Sequence, residues 1–309
     1  MNEQHESYVM ADLLCYTTIM KNYLLKLEYD GSVFHGWQEQ RNLRTVQGEI
    51  QEALSQVCGL EISVNGTSRT DAGVHALMQC CSFNADIGIP TENLPKAINN
   101  MLSGGRYGEG SKGSDLRVIS AEEVPEDFHA RFSCKGKTYK YIISCNEPSA
   151  FRRNYIYNLD AREIDIDAMN AAAKRLVGTH DFAAFQAAGG TPRETTVRTI
   201  FDAGFTTWGD STNAAKISGT DECALPTKLP ARMGDIVFSV TGDGFLYNMV
   251  RIIVGTLIEV GLRKKSHNIV SEIIESCDRT KAGHTAPACG LYLAKVFFDE
   301  EEMKRPECL

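Results

Sequence analysis

The chain has 309 residues, 43% of them hydrophobic and 23% charged, enough for two domains with cores of their own. No apolar run reaches the roughly 18 residues of a membrane span, Asp12 breaks the only leader-like stretch near the N-terminus, and ten Cys without a C-x-x-C pair plus seven scattered His imply no structural zinc site. A formal charge of −8 excludes a uniformly basic nucleic-acid binder, so any grip on phosphate must come from a local stripe.

Residues 1–19 show little periodicity and are expected to form a poorly ordered extension, of the kind a misplaced start codon adds. Tyr23 to Tyr29 reads as the first strand, closed by Asp30-Gly31. Phe34-His35-Gly36-Trp37-Gln38 follows, with Trp37 either a core anchor or a contact surface. Val46 to Val57 predicts an amphipathic helix, since Val46, Ile50, Leu54 and Val57 share one face. Glu61–Val64 predicts a short strand and Met78–Phe83 another. Leu94–Leu102 predicts a helix, and Leu116–Ala121 and Thr138–Cys145 two more strands.

A second set then follows. Ile166–Val177 predicts a helix, Val197–Phe205 and Asp235–Thr241 strands, Leu246–Val260 a long helix, Ile269–Cys277 another helix, and Gly290–Phe298 the last strand. No G-x-G-x-x-G or P-loop is present, which favours α+β units over a doubly wound nucleotide fold. The expected division is 20–130 and 131–300, with 301–309 a tail. The Gly-rich stretch 104–113 and the polar stretch 208–232 are expected to be mobile surface loops. The thiols are expected to be reduced and mostly buried, in a cytoplasmic protein.

Charge is unevenly distributed. Between His129 and Asn154 there are six basic residues (Arg131, Lys135, Lys137, Lys140, Arg152, Arg153) and one acid, Glu147. Phe132, Tyr139, Tyr141 and Phe151 interleave with them. Basic groups alternating with aromatics suit RNA phosphates and splayed-out bases; they also suit an ordinary solvated strand.

Three residues carry candidate chemistry. Asp71 sits in Arg69-Thr70-Asp71-Ala72-Gly73-Val74-His75, where small neighbours let a bulky substrate approach the backbone. The competing reading is a structural Asx-turn. Arg251 lies in the middle of a nearly all-apolar helix, where a guanidinium needs a carboxylate partner or a route to water. The sharper expectation pairs Arg251 with Asp71, which would keep that carboxylate ionised and oriented. Tyr139 shares a strand face with Tyr141, opposite Thr138 and Lys140. It suits either core packing or stacking on a pyrimidine.

The string from Arg69 to Ala76 resembles the signature of the TruA-type tRNA pseudouridine synthases. Further segments resemble that family in the same order: Leu27 to Gly31, Gly36-Trp37-Gln38, Asp127 to Ser133, Tyr139-Lys140-Tyr141, His180-Asp181-Phe182, Phe245 to Gly255, Thr285-Ala286-Pro287 and Gly290 to Leu293. The resemblance implies two similar α+β units, each with a mainly antiparallel sheet and helices on one face, with the catalytic cleft between them. It implies isomerisation of uridine to pseudouridine at positions 38, 39 and 40 of the tRNA anticodon stem-loop, by a homodimer without metal or organic cofactor. Asp71 then falls on the catalytic Asp and Arg69 on an Arg that helps displace the base. Tyr139 falls on the Tyr that stacks on the uracil, Arg251 on the Arg that pairs with the Asp, and Leu291 on an apolar pocket residue. The stripe residues Arg131, Lys135, Lys137 and Lys140 are the expected RNA contacts. Ser68 departs from the pattern, standing where the family usually has Gly.

Overall fold

A computed structural model describes residues 20–104, 115–160, 163–190, 194–209 and 229–303. The expected extension 1–19, nearly all of the 104–113 stretch and most of 208–232 lie outside the described residues.

The first half contains β1 (Lys21–Tyr29), α1 (Val46–Cys58), β2 (Asn65–Gly66), β3 (His75–Ala85), α2 (Leu94–Leu102) and β4 (Leu116–Val124). The second contains β5 (Gly136–Ser144), β6 (Tyr157–Asn158), α3 (Ile166–Ala173), β7 (Gly178–Asp181), β8 (Val197–Thr207), β9 (Ile236–Gly242), α4 (Met249–Gly261), α5 (Ile269–Ser276), β10 (Leu291–Phe297) and α6 (Glu300–Met303). Among the described residues no helix is long and apolar enough to cross a membrane.

The helices follow their apolar periods. In α1 the residues Val46, Ile50, Ala53 and Leu54 are buried, Thr45 caps the start by accepting from Gly48 N, and Gly59 ends the helix in a left-handed conformation. In α4 every residue except Arg251 and Glu259 is buried. This helix starts at Met249 rather than Leu246, because Asn248 adopts a left-handed backbone (φ 59°) that continues no helix. The turn so formed leaves Phe245, Leu246 and Tyr247 to line a cleft.

Strand order is β4-β1-β3-β10-β5-β9-β8-β7, with β2 added to β3 and β6 to β5. The pairs are antiparallel except β3–β10 and β5–β6. Each half therefore supplies a mainly antiparallel set with helices, and the two sets join into one ten-stranded sheet. The seam is β3 beside β10, where His75 pairs with Tyr292 and Ala76 with Leu293. The last strand thus sits in the middle of the sheet, next to the catalytic-type loop.

One large apolar core joins the helices to the sheet face that carries Tyr139, Tyr141, Leu291 and Leu293. A smaller cluster of Leu77, Ile142, Tyr292 and Ala294 takes the alternate positions of the same strands, hence the opposite face. The expected strand at 61–64 runs without ladder pairing. Pairing begins only at Asn65 opposite Ser82, and Gly66 lies so close to the Trp37 ring that a Cβ there would come within 2.3 Å of it.

Candidate active site

The segment from Thr67 to Val74 emerges from β2 and turns into β3. Alternation along it sorts its side chains. Ser68 and Thr70 point to the sheet, where Ser68 Oγ lies 3.0 Å from Tyr139 OH and Thr70 Oγ1 lies 2.8 Å from Tyr29 OH. Arg69 is exposed and Asp71 partly exposed, both lining a cleft of about 1030 Å³. Three backbone contacts hold the segment in place. Trp37 N donates to Thr70 O (3.0 Å), Gln79 Nε2 to Ser68 O (2.8 Å), and Val74 N to Asp71 O (3.1 Å). Gly36 (φ 89°) passes so close that a Cβ would stand 2.7 Å from Thr70 O. The Gly36-Trp37 pair thus supports the loop from behind its backbone, with Trp37 also forming part of the cleft wall.

Arg251 reaches across from α4. Its Nη1 lies 3.2 Å from Asp71 Oδ2 and donates to Asn248 Oδ1 at 2.7 Å, while Nε donates to Ala286 O at 2.7 Å. Ala286 N returns a bond to Arg251 O. The guanidinium is therefore fixed from two sides before it meets the carboxylate. The pair is partly shielded, with side-chain exposures of 17% for Arg251 and 29% for Asp71, so both charges remain reachable from the cleft.

Tyr139 forms the floor beside them. Its ring meets Phe245 edge-on at 5.1 Å. Burial pushes its phenol up to about 12, and the nearby Asp71 charge adds to this despite the Ser68 bond. Tyr139 is thus a neutral hydroxyl at neutral pH. Leu291, buried at the start of β10, completes the apolar wall.

A second network lies behind the loop, on the opposite face of the sheet. His75 is buried and stacks on Tyr292 at 4.7 Å. Its Nδ1 lies 3.1 Å from Gly31 N and 3.2 Å from Asp30 Oδ1, and its Nε2 lies 2.9 Å from Asn154 O. Tyr155 OH donates to Asp30 Oδ2 at 2.7 Å. Burial pushes the Asp30 carboxyl up, but the bonds from His75, Tyr155 and Ser32 outweigh it and hold it well below the usual carboxylate range. His75 is therefore a brace of the loop, facing away from the cleft.

The basic stripe divides. Arg131 and Lys137 line the cleft. Lys140 takes the face of β5 shared with Thr138, whose hydroxyl meets Thr241, so it stands on the far side of the sheet from Tyr139. Lys135 is exposed but does not line the cleft. Phe132, which the sequence marked only as one aromatic of the stripe, is 76% exposed at the cleft mouth, with His129 at 4.4 Å and the Arg131 guanidinium 5.7 Å from its ring. Asn248 and Phe245 were also missed as site residues. Their placement three residues before Arg251, and at the turn before α4, was the available signal.

Among the described residues no group of three or more His, Cys, Asp or Glu gathers as a metal site. The site offers one oriented carboxylate, a cation beside it, a buried aromatic floor and cations at the rim. Such a set can attack or deprotonate a sugar carbon while an extruded base rests on the ring.

The family model described as tRNA pseudouridine synthase matches residues 27–133 and 172–299. The chain is 41% identical over 280 residues to tRNA pseudouridine synthase A of Clostridium acetobutylicum, covering 90% of this chain and 100% of that protein. It is 43% identical over 283 residues to tRNA pseudouridine synthase A 2 of Clostridium tetani, covering 90% and 99%. With tRNA pseudouridine synthase A of Acetivibrio thermocellus it shares 41% over 280 residues, covering 90% and 100%. The family model covers parts of both halves of the sheet and includes Arg69, Asp71, Arg251 and Leu291, with Lys137 and Tyr139 in the stretch between its two matched segments; the chain belongs to the tRNA pseudouridine synthase family.

Proposed function

We propose that this chain isomerises uridine to pseudouridine at positions 38, 39 and 40 of the tRNA anticodon stem-loop, with Asp71 as the catalytic carboxylate. The observation that carries this reading is the Asp71–Arg251 pair at 3.2 Å, opening into a cleft floored by Tyr139. The reaction breaks the C1′–N1 bond, turns the uracil, joins C1′ to C5, and exchanges the C5 proton for one on N1. No net oxidation or outside atom is involved, so the chemistry calls for no metal or organic cofactor.

The base must first leave the stack, at a cost of a few kcal/mol. Arg69, exposed on the outer side of the loop, is placed to take the room the base vacates. Tyr139 then stacks on the uracil, with Leu291 closing the apolar side. Asp71 either attacks C1′ to give an ester-linked sugar or removes the 2′-hydrogen to give a glycal. Both routes require a carboxylate held in one orientation, which the contact with Arg251 provides. Tyr139 begins as a neutral hydroxyl, held up at about 12 by burial, and the C5 proton passes to a water or is relayed through that hydroxyl. A hydrolase of small glycosides would need a second carboxylate across the bond. Among the described lining residues the other acid is Asp243, whose Oδ1 accepts from Thr199 N.

At the rim, Arg131 and Lys137 meet phosphate, and Phe132 offers an exposed ring on which an unpaired neighbouring base can stack. Lys135 and Lys140 have a place in RNA binding only along the flank or through a second subunit, which the homodimer supplies. The protein acts in the cytoplasm, where tRNA is modified. The reading is tested with tRNA transcripts tritiated at uracil C5 that retain a single uridine among positions 38, 39 and 40. Each should release tritium to water. A transcript set that releases none, with the protein folded and bound to RNA, rules the assignment out.

A further inference from the structure

One hydroxyl of the loop reaches a residue to which the reaction described above gives a role. Ser68 stands on the cleft wall, half-buried, with its Oγ 3.0 Å from Tyr139 OH. Tyr139 is 6% exposed, and a buried phenol needs a partner for its hydroxyl. The two residues come from different halves of the sheet, Ser68 from the loop after β2 and Tyr139 from β5. Ser68 cannot drift away, because the fully buried Gln79 amide holds its carbonyl at 2.8 Å. The Tyr139 ring is steadied from its other side by Phe245.

The neighbouring pin shows what this bond adds. Thr70 is tied to Tyr29 of β1 at 2.8 Å, which anchors the loop within its own half. Ser68 alone of the two ties the loop across to the strand that carries the base-stacking ring. Between and beside these two pins stand Arg69 and Asp71, which line the same cleft. Without the Ser68 hydroxyl the backbone bond to Gln79 and the Thr70 pin would both survive. What would be lost is the link between the carboxylate's loop and Tyr139.

We propose that Ser68 is a positioning residue whose hydroxyl fixes Tyr139 against the Asp71 loop, so that the ring receiving the uracil and the carboxylate acting on the sugar are held at one spacing. The inference rests on the roles given to Asp71 and Tyr139 above. Its effect falls on the chemical step, since misplacing a reacting base by a fraction of an ångström lowers the rate without loosening the RNA grip.

The test compares wild type, Ser68→Ala, Ser68→Thr, Tyr139→Phe and the Ser68→Ala/Tyr139→Phe double variant. Single-turnover release of C5 tritium gives the rate, and filter binding gives the tRNA Kd. Ser68→Ala should slow release about tenfold while Kd stays within about twofold. Ser68→Thr, which keeps the hydroxyl, should recover most of the rate. In the Tyr139→Phe background, Ser68→Ala should have no further effect, because the bond is already gone. The proposal is overturned if Ser68→Ala releases tritium at the wild-type rate, if Ser68→Thr is as slow as Ser68→Ala, or if Ser68→Ala slows Tyr139→Phe by the same factor as wild type. A readout without turnover separates this from the isomerase reading: 3-fluorotyrosine at position 139 should shift its fluorine resonance in Ser68→Ala and not in Ser68→Thr. Wild-type protein that releases no tritium overturns the isomerase reading, and the fluorine shift then decides the Ser68 contact by itself.

Discussion

Arg251 meets both Asp71 and Asn248 through Nη1 and is tied to Ala286 O through Nε, so its position is set before substrate arrives. A Lys at this position would carry the charge but could not make the same planar set of bonds. Arg251→Lys should therefore lower kcat about 100-fold with little change in tRNA affinity, measured by tritium release beside filter binding; near-wild-type turnover would remove Arg251 from the site. Phe132 answers to a different readout. Losing an exposed stacking ring should weaken tRNA binding by about 1–3 kcal/mol, and Phe132→Trp should keep it. If Phe132→Ala binds tRNA as tightly as wild type, the ring has another purpose. The sequence pointed to Asp71, Arg251 and Tyr139 through their types and neighbours. It could not point to Phe132, because exposure of a single Phe depends on how the turn after His129 projects it.

Elements reach the site through their ends. α1 starts at Thr45, whose side chain accepts from Gly48 N, and Thr45→Ala should cost about 1 kcal/mol of stability without touching turnover. That is checked by urea unfolding alongside the activity assay. Behind the loop, Asp30 offers a pH test. Its carboxyl is held below the ordinary value, so the folded state favours the ionised form and gains stability from it above about pH 4. That gain is lost as pH falls through the depressed folded value. The gap in melting temperature between wild type and Asp30→Asn should accordingly be full at pH 7 and shrink steadily below pH 4; a constant gap would contradict the network. Most elements were legible from period and caps. The start of α4 was not, since the apolar run continues back to Leu246 and only the left-handed turn at Asn248 stops the helix. The 61–64 strand was overread because β-type residues there extend without a neighbouring strand to pair with.

At the scale of the whole molecule, the two halves meet where β10 lies beside β3, through two residue pairs directly after the Asp71 loop. This seam brings Leu291 and Tyr139 from the second half to face Asp71 from the first. The α+β class was legible because strands and helices recur in two sets. That the sets merge into one sheet was not, since a parallel pairing between residues 75–76 and 292–293 leaves no local mark in sequence. The proposed homodimer predicts sedimentation at twice the chain mass of 34.1 kDa at micromolar concentration. A species of single-chain mass would contradict it and leave each cleft to work alone. The role assigned to Asp71 is chemistry in a cleft that binds RNA without it. It is tested by single-turnover C5-tritium release from tRNA with Asp71→Asn and Asp71→Ala, with tRNA binding measured on the same samples. Neither variant should release detectable tritium, and both should bind tRNA with a Kd close to wild type. Release by Asp71→Ala at a measurable fraction of the wild-type rate would contradict that role.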